Sequence, residues 1–167
     1  KGEADWTLIG EIKNDPRIQI PIFGNGDINS PEKALEYKNK YGIDGIMIGR
    51  AAIGYPWIFR EIKHFLATGT KRADPTIEER VEVARKHLIK SLEWKGPIAG
   101  INEMRRHYAN YLRGLPNIKE YRNKLVRITE QKEIEAILDE IKDKYKDMVI
   151  ESGKIVLENY HEHCPIN

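Results

Sequence analysis

Two nearly continuous apolar runs, IQIPIF at residues 18–23 and IDGIMI at 43–48, constrain this chain more than any other feature. Short Ile-rich runs without polar alternation suit strands covered on both faces, as in a parallel sheet flanked by helices. Between them Ser30 is placed to cap a helix and Pro31 to begin it, with Gly42 ending it after about Lys40. That makes a strand–helix–strand unit. ADWTLIGEIKND reads as the helix before it and YPWIFREIKHFLATG as the helix after it, with Trp57, Ile58, Phe59, Ile62, Phe65 and Leu66 on one apolar face. Two such strands leave edges and faces uncovered and cannot form a stable sheet alone. Residues 1–70 are therefore expected to be the incomplete end of a larger α/β assembly, most simply the last two strand–helix units of a TIM-type (β/α)8 barrel.

Beyond a linker at GTKRADP, residues 69–75, strand signals fade. Thr76 and Glu79 have the spacing of a capping box, and helices are predicted over about 76–94, 98–113, 117–127 and 130–145. They are separated by KGP, GLP and Thr129. The spacing of Ile134, Ile137, Leu138 and Ile141 is that of amphipathic helices packed as a small bundle, which defines a second, all-α domain over 71–146. In the tail, 147–167, VIESGKIVLENYH is read as a strand or a frayed helix.

Hydrophobic residues at 40% and charged ones at 32% describe a soluble globular chain, and no apolar run approaches the ~20 residues of a membrane span. A single cysteine, Cys164, excludes an internal disulfide framework and fits a reducing cytoplasm. The net charge of +2 conceals a division along the chain. Residues 71–127 carry fourteen Lys/Arg against seven Asp/Glu, whereas 128–167 carry five against ten. The basic middle segment is a candidate for a polyanion partner, with a solvated cationic face as the alternative.

Both apolar runs leave through glycine-containing loops, GNGD and GRAAIG. Such a loop between a strand end and a helix start can aim backbone N–H groups at a phosphate, and Arg50 adds a guanidinium fork beside Gly49. Phosphate sites in the loops after the last two strands recur in eight-stranded α/β barrels. The competing reading is a pair of ordinary tight turns with a surface arginine. Asp27 is expected to offer its backbone N–H, with its carboxylate bracing the turn or the Asn25 side chain.

The segments ADWTLIGEIK, IPIFGNGDINSPEKAL and GIDGIMIGRAAIGYPWIF resemble the closing part of the flavin-binding barrel of tRNA-dihydrouridine synthases. EMRRHYANYLRGLP, residues 103–116, is similar to a helix of that family's C-terminal helical domain. The resemblance covers roughly residues 4–127 and implies a flavoenzyme that reduces a uridine in tRNA to dihydrouridine, with FMN recharged by NADPH or NADH. By position, Asn25, Gly26, Asp27, Gly49 and Arg50 would hold the FMN phosphate. The helical domain would grip tRNA, with Arg105, Arg106, His107, Tyr111 and Arg113 as contact residues, although Tyr108, Tyr111 and His107 equally suit the core.

The family's general acid is a cysteine in an earlier barrel loop, so no catalytic residue is assigned here and this chain alone is expected to be inactive. Cys164, in the tail HEHC, is not that residue, and no metal is assigned to His161, His163 and Cys164. Two other functions remain open: an RNA-binding helical module without catalysis, and an FMN barrel oxidoreductase acting on a small molecule.

Overall fold

The computed structural model describes residues 2–151 and 154–156. The chain divides into two compact units, Lys1–Arg72 and Ala73–Asn167. The first holds α1 (Thr7–Asn14), β1 (Phe23–Asn25), α2 (Pro31–Tyr41), β2 (Gly45–Met47), a single 3-10 turn (Arg50–Ala52) and α3 (Ile58–Thr68). The second holds α4 (Ile77–Tyr111), α5 (Ile118–Leu125), α6 (Gln131–Tyr145), β3 (Val149–Glu151) and β4 (Lys154–Val156).

Helix α2 forms as its sequence predicts. Ser30 Oγ accepts the Lys33 N–H at 3.2 Å, Pro31 opens the first turn, and Gly42 closes the helix in the left-handed conformation. The two strands are parallel, with Phe23, Gly24 and Asn25 opposite Gly45, Ile46 and Met47. They are shorter and later than the apolar runs. Pro21 has no N–H for a ladder, and the Ile22 N–H is taken by the Asp44 carboxylate at 2.7 Å, so pairing begins only at Phe23. Burial on both faces is also not found within this unit. Phe23 and Met47, on one face of the pair, are 66% and 60% exposed, while Gly24 on the other face is buried.

The covered face packs on a core of Trp6, Ile28, Ala34, Ile43, Ile58 and Ile62. Of the apolar face expected on α3, Trp57, Ile58 and Ile62 are buried, Phe65 and Leu66 are half-buried, and Phe59 is exposed.

In the second unit Thr76 and Glu79 form the reciprocal capping box, with bonds of 3.1 and 2.9 Å. Helix α4 breaks at Gly96, whose φ of 76° and ψ of 172° lie outside helical space, and Pro97 starts the next arm. The arms fold back on one another. Ser91 Oγ donates to Gly100 O at 3.1 Å, the rings of His87 and His107 are 4.5 Å apart, and Arg80 Nη1 donates to Arg113 O at 2.9 Å. Helix α6 buries Ile134, Leu138 and Ile141 against them, leaving Ile137 half-buried. In the tail, β3 and β4 pair antiparallel, so Val149–Glu151 and Lys154–Val156 are strand; the rest of VIESGKIVLENYH and HEHC lie outside the described residues.

Two residues expected at an RNA surface belong to this interior. His107 and Tyr111 are 8% and 3% exposed, because the face of α4 that carries them is the one closing on the other arm. Burial, with His87 and Arg106 beside it, lowers the His107 pKa from 6.5 to about 4. Neutral in the fold, His107 takes up a proton at higher pH in the unfolded chain, so the stability it confers is present above pH 6.5 and lost as pH falls toward 4. Across that window the loss is on the order of 3 kcal/mol. Urea unfolding at pH 7 and pH 4.5 is expected to show it, with a smaller difference in His107→Gln; an equal difference would place the acid sensitivity elsewhere. Leu138→Ala is expected to lower stability by about 2–5 kcal/mol at pH 7, read by helical circular dichroism.

Candidate functional site

The carboxyl ends of the parallel strands bring the two glycine-containing loops together. Gly26 has φ 138°, and a Cβ there would lie 2.4 Å from Ala4 Cβ and 3.0 Å from Trp6 Nε1, so only glycine lets the loop approach the segment ahead of α1 so closely. Its carbonyl accepts the Trp6 indole N–H at 3.1 Å. Asp27 follows at φ 51°, a left-handed conformation for which Asp and Asn are the usual non-glycine choices. One of its carboxylate oxygens accepts the Ala4 N–H at 2.9 Å, and the other pairs with Arg50 Nη2. Asp27 therefore braces Ala4 and Arg50, and among the described residues it makes no bond to the Asn25 side chain.

Arg50 opens the 3-10 turn after β2 with its side chain 85% exposed. An ion pair this open contributes on the order of 0–1 kcal/mol; its weight lies in fixing where the guanidinium sits. Gly49 has no heavy atom within 4 Å of where a Cβ would be, and the first N–H groups of a helical turn lack intrahelical acceptors. Open space, amides with no intrahelical acceptor and a tethered guanidinium make a donor set suited to a phosphate. Asn25, the last residue of β1, is exposed beside it. Ala4 and Trp6 were not singled out from sequence as parts of this site; a tryptophan just ahead of a helix looks like any core residue.

In the helical unit the structure separates the five residues expected to meet RNA. Arg106 and Arg113 are exposed, Arg105 is half-buried, and His107 and Tyr111 are inside. Arg106 is held from two sides, with Nε donating to His107 Nε2 at 3.2 Å and Nη2 to Glu103 at 3.0 Å. Glu103 also pairs with Lys95, whose ammonium is the main reason its carboxyl lies below the usual carboxylate range. A separate groove of about 640 Å³ at the turn of α4 has one apolar side, Leu92, Pro97, Ile98 and Ile101, and one polar side, Asn102, Thr129, Glu130 and Gln131. Among the described residues no helix is long and apolar enough to cross a membrane, and no group of three or more His, Cys, Asp or Glu is arranged to hold a metal ion.

The profile of a family described as "Dihydrouridine synthase (Dus)" matches residues 1–147. A tRNA-dihydrouridine synthase B of Pseudomonas putida is 44% identical over 121 residues, which is 72% of this chain and 35% of that protein. A probable tRNA-dihydrouridine synthase of Rickettsia conorii is 40% identical over 121 residues, 72% of this chain and 36% of that protein. A probable tRNA-dihydrouridine synthase 1 of Synechocystis is 37% identical over 139 residues, 83% of this chain and 38% of that protein. The chain thus spans little more than a third of the length of these relatives, and by the extent of the profile match it belongs to the dihydrouridine synthase family.

Proposed function

We propose that this chain supplies the last two strand–helix units of an FMN-binding (β/α)8 barrel and a helical tRNA-binding domain, within an enzyme that reduces a uridine of tRNA to 5,6-dihydrouridine. NADPH or NADH is the reductant in this reading, and the cytoplasm its location. The observation that carries it is the Asp27–Arg50 contact joining the two strand-end loops around exposed backbone, in a chain of this family.

When bound, FMN supplies the hydride chemistry. The chain's own residues bind and orient. Arg50 and the amides after Gly49 hold the phosphate group, Asn25 and Gly26 line its other side, and Asp27 steadies the loop. In the helical unit Arg106 and Arg113 meet phosphates of the tRNA backbone, with Arg105 behind them. His107 and Tyr111 act there through packing, since both are buried. No residue of this chain is assigned a catalytic proton transfer. The basic balance of residues 71–127 favours this reading over a barrel oxidoreductase of small molecules.

In the intact enzyme Arg50→Ala is expected to weaken FMN retention, and unchanged flavin occupancy after purification would remove Arg50 from the site. Binding of tRNA is expected to weaken steeply with salt. Replacing Arg105 and Arg106 together by Ala should reduce the slope of log K against log salt by about 1–2; an identical slope would direct attention to other cations.

A further inference from the structure

One carboxylate ties a backbone N–H from ahead of α1 to a guanidinium from the loop after β2. Asp27 Oδ2 accepts the Ala4 N–H at 2.9 Å, Oδ1 takes Arg50 Nη2, and the residue before it accepts the Trp6 indole N–H at 3.1 Å. The loop carrying Asp27 is therefore pinned to the segment ahead of α1, and Arg50, otherwise projecting into solvent, is pinned to that loop. We propose that Asp27 is a positioning residue, whose carboxylate preorganises the Arg50 guanidinium for a phosphate monoester at Gly49–Ala51 without touching the phosphate itself. The proposal rests on the phosphate reading of these two loops.

An unrestrained arginine gives up rotamer freedom when it closes on a ligand, and one held in place beforehand gives up less. A guanidinium has five N–H donors, and the contact with Asp27 engages Nη2 alone, so Nε and Nη1 remain for phosphate oxygens. Coulomb's law acts the other way, because a carboxylate near a phosphate dianion repels it. The two effects predict opposite signs for Asp27→Asn. Asparagine keeps the shape, tolerates the left-handed backbone, and can accept the Ala4 N–H with its amide oxygen; it discards the charge that holds Arg50.

The test compares FMN with riboflavin, which lacks the phosphate, by flavin fluorescence titration of the intact protein. Asp27→Asn is expected to weaken FMN by about two- to fivefold, to leave riboflavin unchanged, and to add nothing when Arg50 is already Ala. Unchanged or tighter FMN binding in Asp27→Asn, alongside weakened binding in Arg50→Ala, would overturn the positioning role and leave the phosphate site standing. Equal losses for FMN and riboflavin would overturn it too, by showing a general effect on the fold. If Arg50→Ala also leaves FMN affinity unchanged, the phosphate reading fails first and takes the proposal with it.

Discussion

The N-terminal unit depends on one indole. Trp6 immediately precedes α1 and is 1% exposed, with the Tyr37 and Tyr41 rings 4.8 and 5.7 Å away and its N–H bonded to the loop carbonyl of Gly26. A Cβ on Gly24 would lie 2.0 Å from its six-membered ring, so the strand can reach this ring only as glycine. Burying an aromatic side chain of this size contributes several kcal/mol, by about 25 cal/mol per Å² of apolar area. Because one side chain sets the separation of α1, α2 and β1, the position of the glycine loop follows from core packing. Its usefulness to a ligand is inherited from that packing.

The helical unit uses buried polar groups in a comparable way. Arg80 is 4% exposed and donates to the carbonyls of Pro75 and Arg113, tying the entry of α4 to the chain leaving it. At the other side of the hairpin the neutral His107 accepts from Arg106, so an interior imidazole directs an exposed cation. Removing Arg80 would take the donor from two carbonyls, whereas losing His107 would free the exposed Arg106 to water and so cost mainly its orientation. The basic surface and the core beneath it are thus mechanically one object.

Much of this was legible in the sequence where a single residue type settles the backbone. Ser30, Pro31 and Gly42 bound α2, the Thr76–Glu79 pair starts α4, and Gly96 with Pro97 breaks it. The strands were less legible, because apolar character marks burial and not pairing; Pro21 and the Asp44 carboxylate shift the ladder toward the glycines. The site divides along the same line. Gly26, Asp27, Gly49 and Arg50 stand out by type, but the partner of the Asp27 carboxylate is a main-chain N–H 23 residues away, which no side-chain pattern announces. His107 and Tyr111 sit in a run of basic residues and yet face inward, because helical phase, set by the opposite arm, decides orientation where composition cannot.

The turn of α4 leaves Trp94 85% exposed, whereas Trp6 and Trp57 are buried in the other unit. The three indoles therefore sort by location. Acrylamide quenches the accessible fluorophore first, and its red-shifted emission follows events at the hairpin tip. The blue-shifted remainder belongs to the N-terminal half, so melting of the two halves can be followed separately in one sample without an added dye.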